Sequence, residues 1–319
     1  MTYQPTVIND DLRKLPQLPA WVTSGRSETL ETVVFRSGAV LTVLDMLVSD
    51  PAHGVPTKLL SNRLALSAAV ATSKLEGRMA QEADIRDAFH LAQSGEARGP
   101  DGDLLAFWRE AARVRAVRPS DAALFELVGP NYADDVEDWI STGRNRTKTH
   151  GPLAGCALVM RSVLEADDRA ERVACLMSDL VLAEALNWPR LLPVSAQFLS
   201  KCMLRDLVGG GPEAALVVQG RLLEAQQETT RLAREFARRA AALRAIAPKL
   251  RAKGSDAAVT LFLCEEAVAP STMLSPMIQG TAIAMTDRAA RRLCDRLVEL
   301  GVVRELTGRA TFRLYGIAP

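Results

Sequence analysis

The stretch Thr286-Asp287-Arg288-Ala289-Ala290-Arg291-Arg292-Leu293-Cys294-Asp295-Arg296-Leu297-Val298-Glu299-Leu300-Gly301 decides how this chain is read. Thr286 is a side-chain cap, Asp287 to Leu300 the helix it starts, and Gly301 the stop. Leu293, Leu297 and Leu300 recur at i, i+4 and i+7 and so share a buried face. Arg288, Arg291, Arg292, Asp295 and Glu299 fall on the other. Two strand-like runs follow, Val302–Leu306 and Ala310–Tyr315, with Thr307-Gly308-Arg309 as the turn between them. Upstream, Leu261, Cys264 and Val268 give a first helix an apolar face, and Pro270 to Gly280 interrupts the chain. Helix, helix, recognition-type helix and β-wing is the order of a winged helix-turn-helix.

Charge supports that placement. Residues 221–319 hold 16 Lys/Arg against 10 Asp/Glu, whereas residues 1–220 hold 23 against 28. A basic end on a near-neutral chain suits contact with a polyanion. Arg288, Arg291 and Arg292 would face the major groove. Arg304, Arg309 and Arg313 of the wing would reach phosphate or the minor groove, and Lys249, Arg251 and Lys253 would add backbone contacts. Asp287 and Asp295 could instead hold the arginines in intrahelical pairs, and such a module could pack against protein.

The rest of the chain predicts helices. They fall over Ser27–Ser49, Pro56 to Leu75, from Gln81 through Leu91, through Phe107 and Trp108, Ala122–Leu127 and Asp134–Ile140. Further helices are expected over Pro152–Glu165, Arg169–Ala185, Ser195–Leu207 and Pro212 to Ile246. Asp101-Gly102-Asp103 reads as a turn with a helix cap, and Arg144, Arg146 and Lys148 as a basic loop cluster. The expected fold is mainly α: a helical bundle over 1–250, then a winged helix-turn-helix with a short β-wing over 251–319.

Five isolated cysteines and three scattered histidines match no metal-ligand spacing. Reduced thiols, no metal, no cofactor and a cytoplasmic location are expected. No apolar run reaches the ~18–20 residues of a membrane span, and no signal peptide opens the chain. Gly209-Gly210-Gly211-Pro212 before a helix lacks the Lys-Ser/Thr of a phosphate-binding loop.

Two families enter on particular residues. Thr72-Ser73-Lys74-Leu75-Glu76-Gly77 resembles the inhibitory-helix motif of the Fic family (filamentation induced by cyclic AMP), helical proteins that transfer nucleotide groups, usually AMP, to proteins. That family's His-Pro-Phe-x-Asp/Glu-Gly-Asn-Gly-Arg-x-x-Arg run is similar to Arg161-Ser162-Val163-Leu164-Glu165-Ala166-Asp167-Asp168-Arg169-Ala170-Glu171-Arg172, retaining Glu165, Arg169 and Arg172. The resemblance implies that Glu76 lies near Arg172 or Arg169, with Arg161–Asp168 as a loop between two central helices. Arg161 stands where a histidine base is required, and Ala166 and Asp168 replace phosphate-cradling glycines. A catalytically inactive Fic-like body is the implied outcome. Secondly, the chain resembles end to end the bacterial domain-of-unknown-function family numbered 1403. That likeness rests on Pro19-Ala20-Trp21-Val22-Thr23-Ser24-Gly25, Pro248-Lys249-Leu250-Arg251-Ala252-Lys253-Gly254-Ser255-Asp256 and Thr286 to Arg292.

The function expected is a DNA-binding regulator, as a homodimer or with a protein partner. The alternatives are a protein-interaction or toxin–antitoxin-like module, and a nucleotide- or phosphate-binding enzyme using Glu76, Glu165, Arg169 and Arg172.

Overall fold

A computed structural model describes residues 15–24, 29–92, 97–115, 122–250, 253–309 and 311–317. Thirteen α-helices and two short strands are described: α1 (Ala20–Ser24), α2 (Leu30–Ser49), α3 (Thr57–Leu75), α4 (Glu82–His90), α5 (Gly99–Ala111), α6 (Ala122–Val128), α7 (Val136–His150), α8 (Pro152–Ala166), α9 (Glu171–Ala185), α10 (Lys201–Gly209), α11 (Pro212–Ile246), α12 (Ser255–Phe262), α13 (Asp287–Glu299), β1 (Arg304–Glu305) and β2 (Tyr315–Gly316).

Helix α9 is the centre. Glu171 and every residue from Val173 to Ala183 are buried on it, so it is covered on all sides, chiefly by α7 and α8. The α7–α8 contact is close because Gly155 has no side chain: a Cβ there would stand 2.7 Å from the Gly143 carbonyl oxygen, while Gly143 itself is needed against α9, where its Cβ would meet Val181 at 2.6 Å. Helix α11, 35 residues and about 50 Å long, lies along α2. Their contact is mostly apolar, with one buried polar link: the Ser37 hydroxyl donates to Gln226 Oε1 at 2.9 Å.

Several sequence expectations are corrected. Asp101-Gly102-Asp103 is not a turn before a helix but lies inside α5, which starts at Gly99 with Pro100 and Asp101 in its first turn. Gly102 is there for packing, since a Cβ would sit 3.1 Å from the Ala88 carbonyl oxygen of α4. Arg144, Arg146 and Lys148 lie on helix α7, which continues to His150 until Gly151 turns it at φ +85°. The helix expected from Ser195 begins at Lys201, because Ser200 is its cap and the Val194 and Ser195 amides are taken by the Asp179 carboxylate. Arg161 to Ala166 is the last part of α8 rather than a loop; only Asp167 to Ala170 connects α8 to α9. The helix α2, at 20 residues, is long and apolar enough to cross a membrane by length and composition, contrary to expectation. In this fold its inner face packs on α11, and buried Arg36 donates from Nε to the Val22 carbonyl oxygen at 2.7 Å.

At the C-terminal end, α12 stops at Phe262, so Cys264 and Val268 are not on it. Val268 instead pairs with Tyr315 through two backbone hydrogen bonds of 2.7 and 3.0 Å. Tyr315 pairs on its other edge with Glu305 in the antiparallel β1–β2 ribbon. The strands are shorter than expected, and Ala310 lies outside the described residues. Thr286 caps α13 as read, its hydroxyl accepting from the Ala289 amide at 3.3 Å. Ala290, Leu293, Cys294 and Leu297 are its buried face.

Candidate functional site

The Fic-like positions separate into two groups. Helix α3 ends at Leu75 with Glu76 as its C-cap, and Gly77 (φ +80°) lets the Arg78 amide return to the Ser73 carbonyl at 2.8 Å, so Glu-Gly here is first a helix stop. That stop aims Glu76 at α9. Arg172 Nε donates to Glu76 Oε1 at 2.7 Å, and Arg78 donates to Oε2 of the same carboxylate at 3.1 Å. The Arg172 guanidinium lies 5.0 Å from the centre of the Phe107 ring, a cation–π contact that fixes it from the α5 side. Thr72 is buried and accepts a 3.0 Å hydrogen bond from Trp108 Nε1, which ties α3 to α5.

The other group does not reach this carboxylate. Arg161 Nε donates to Glu165 Oε1 at 2.7 Å, one turn on along α8, and its guanidinium faces Gly210. Asp168 and Arg169 are exposed on the α8–α9 connection, where the Arg169 amide donates to Asp167. Tyr132 also hydrogen-bonds Asp167, which holds that carboxyl below its ordinary range. Thus Thr72, Glu76, Gly77 and Arg172 form one cluster, and Arg161 with Glu165 another.

The nine residues assigned to DNA also divide. Arg288, Arg291 and Arg292 stand on the exposed face of α13. Arg291 pairs with Asp287 at 2.9 Å, whereas Arg288 and Arg292 make no ion pair among the described residues. Arg313 is exposed and donates to the Arg309 carbonyl oxygen. Arg309 itself pairs with Asp87 of α4 at 3.1 Å. Arg304, Lys249 and Lys253 follow the same end of the chain, and Arg251 lies outside the described residues.

A further cluster was not singled out by sequence. Arg109 of α5 donates from Nη1 to both Glu266 oxygens (2.9 and 2.7 Å) and from Nη2 to Glu265. His90 Nε2 is 2.7 Å from Glu266 Oε1, and Asn62 donates to the Cys264 carbonyl at 2.7 Å. Burial acts to raise the Glu266 carboxyl, but the charges of His90 and Arg109 and the His90 hydrogen bond outweigh it and hold it at about 2. Nearby, Arg86 donates to the Leu306 carbonyl at 3.1 Å. This buried network fastens the residues after α12 and the β1 turn onto α3, α4 and α5. Its one signal in the sequence was an acidic doublet, Glu265-Glu266, set against the apolar run Ala267-Val268-Ala269.

Together these features define a mainly helical protein whose basic C-terminal residues are seated on the helical body by buried ion pairs. The chain matches, over residues 6–317, the model of the family described as protein of unknown function (DUF1403), and it belongs to that family. Among curated proteins, none matches it significantly.

Proposed function

We propose that this is a cytoplasmic DNA-binding regulatory protein, with residues 251–319 as a winged helix-turn-helix reader and residues 1–250 as a catalytically inactive Fic-like body. The observation that carries the reading is the outer face of α13. Arg288 and Arg292, one turn apart, are exposed and unpaired among the described residues, while Ala290, Leu293, Cys294 and Leu297 anchor the opposite face. The antiparallel β1–β2 ribbon, extended by the Val268–Tyr315 bridge, carries exposed Arg304 in the position of a wing, and exposed Arg313, 3.8 Å from Glu305, stands two residues before β2. Arg309 contributes to seating rather than to DNA contact, because it serves Asp87.

For the body, the Glu76–Arg172 pair supports Fic ancestry, and Arg161 in place of a base supports inactivity. An arginine remains protonated at any physiological pH, so it takes no proton from a hydroxyl nucleophile. We read α2 as a core helix, on its contact with α11, and so place no part of the chain in a membrane.

The test is fluorescence anisotropy of a random-sequence duplex with the full-length protein at two salt concentrations. Removing residues 251–319 would strand Arg109 in the body, so point variants are the sound comparison. Wild type is expected to bind at low salt and weaken as salt rises. Arg288→Ala/Arg292→Ala is expected to lower the affinity at least about tenfold and to flatten the salt dependence by about one unit of slope per arginine. No binding by wild type at low salt would turn the reading to a protein-interaction module.

A further inference from the structure

A cavity of about 820 Å³ opens between the end of α2, the start of α3, the end of α5 and the segment Leu186 to Leu192 after α9. That volume lies in the range of small-molecule sites, about 300–1,000 Å³. It is at the opposite end of α9 from Arg172 and shares no residue with the Glu76 cluster or with α13. Its apolar lining comes from Val48, Trp188, Pro189 and Leu191. Asn187, in the left-handed region at φ +53°, turns the chain so that Trp188 folds in and donates to Asp45 at 2.8 Å.

The lining is also cationic: it holds Lys58, Arg109, Arg113 and Arg190 against the single acid Asp45. Asp45 accepts on one oxygen, Oδ1, from both Trp188 and the Ser49 hydroxyl. Arg109 is committed to Glu265 and Glu266, but the other three cations are less engaged. Arg190 is exposed and makes no ion pair among the described residues, and Arg113 has only a solvent-exposed partner one turn back, Glu110. Lys58 reaches Glu265 only at 3.7 Å.

We propose that this cavity binds a small organic anion, with an aromatic or aliphatic body against Val48 and Trp188 and a carboxylate or phosphate among Lys58, Arg113 and Arg190. Binding there is felt by the C-terminal residues. Lys58 and Asn62 line the cavity and also contact Glu265, at 3.7 and 3.4 Å, beside Arg109, which is its principal partner. An anion in the cavity competes with the Glu265 carboxylate for Lys58. Three residues beyond Glu265, Val268 holds Tyr315 through their paired amides. The cavity is thus an effector site whose occupancy loosens the seat of the C-terminal module, and this holds whatever that module contacts.

The probe is anilinonaphthalene sulfonate, an anion on an aromatic body, with uncharged N-phenylnaphthylamine as its control. Full-length wild type is expected to bind the anionic probe saturably, one to one, with Kd below about 0.1 mM. Lys58→Gln/Arg190→Gln should weaken it at least about tenfold, leave the control dye unaffected, and preserve the circular dichroism spectrum because both side chains are exposed. Val48→Trp, which adds bulk to the apolar lining, should remove binding of both dyes. Saturating probe should also speed amide exchange at Val268 and Tyr315. Absence of saturable binding, or equal affinity in wild type and the double charge variant, overturns the site; unchanged exchange at saturation overturns its link to Glu265.

Discussion

Arg172 of α9 and Glu76 at the end of α3 meet at 2.7 Å although 96 residues separate them in the chain. The carboxylate is also held by Arg78, and the side chains of the pair are 21% (Glu76) and 36% (Arg172) exposed. Solvent screening therefore limits its worth. A double-mutant cycle with Glu76→Gln and Arg172→Gln is expected to give a coupling of about 0.5–1 kcal/mol in urea unfolding. A coupling near zero would make the contact incidental. If the body is Fic-like as proposed, the same Glu76→Gln protein should still transfer no AMP to itself, because Arg161 would stand where that chemistry needs a base.

The Arg109 cluster predicts a far larger effect. Glu266 is fully enclosed, and removing its bidentate partner leaves a carboxylate with only His90 beside it. Arg109→Met is expected to cost about 3–5 kcal/mol, the penalty of breaking a buried pair from one side. Arg109→Met with Glu265→Leu and Glu266→Leu should recover much of that, since it removes the stranded charges. A loss below about 1 kcal/mol for the single variant would contradict the geometry.

The same carboxylate sets an acid limit. Glu266 has an ordinary value of 4.5 and is held at about 2 in the fold. Its contribution is therefore complete above about 4.5 and is lost as pH falls from there toward 2. Wild type should lose stability steeply through that window, and Glu266→Gln should flatten the loss while being less stable at pH 7. Parallel acid-unfolding curves for the two proteins would rule this out.

How much of this could be read in the sequence follows the range of the interactions involved. Thr286 and Gly301 delimit α13, and Pro212 to Ile246 is α11 as read, because caps, prolines and 3.6-residue periodicity act within a few residues. Gly102 misled for the opposite reason: locally it signals a turn, but its use is to let α5 approach the Ala88 carbonyl of α4. The strand positions were blurred because Tyr315 is paired to Val268, far upstream, as well as to Glu305. The Glu76–Arg172 pair was legible only through a family motif. Arg109, His90 and Asp179 gave no local signal, since their partners lie 157, 176 and 15 to 16 residues away.

Asp179 is buried at the centre of α9, where its Oδ1 accepts from the Val194 and Ser195 amides and its Oδ2 has no hydrogen-bond partner among the described residues. Burial pushes its carboxyl up from 3.8 to about 7, against the pull of those hydrogen bonds. Between about pH 4 and 7 the folded state keeps a proton that the unfolded chain has lost. Stability from this group is thus full below about pH 4 and falls as pH rises toward 7, by about 1.4 kcal/mol per pH unit. Asp179→Asn keeps an oxygen for both amides and cannot ionise. Thermal unfolding from pH 4 to 8 should show the variant gaining on wild type as pH rises, and a constant difference would refute the buried proton.

The last prediction concerns one substitution at two glycines, both inside helices. At Gly155 of α8 an added Cβ would stand 2.0 Å from the Thr147 hydroxyl and 2.7 Å from the Gly143 carbonyl oxygen. The hydroxyl can rotate away; the carbonyl belongs to the backbone of α7, and the two helices must separate. At Gly220 of α11 the same atom meets nothing within 4 Å. Gly155→Ala is therefore expected to destabilise by about 1–3 kcal/mol, the cost of overpacking. Gly220→Ala should stabilise by about 0.5–1 kcal/mol, because alanine restricts the unfolded chain and suits a helix interior. Urea unfolding of the two variants reads the difference directly. Equal effects, of either sign, would mean that α7 and α8 do not cross at Gly143 and Gly155.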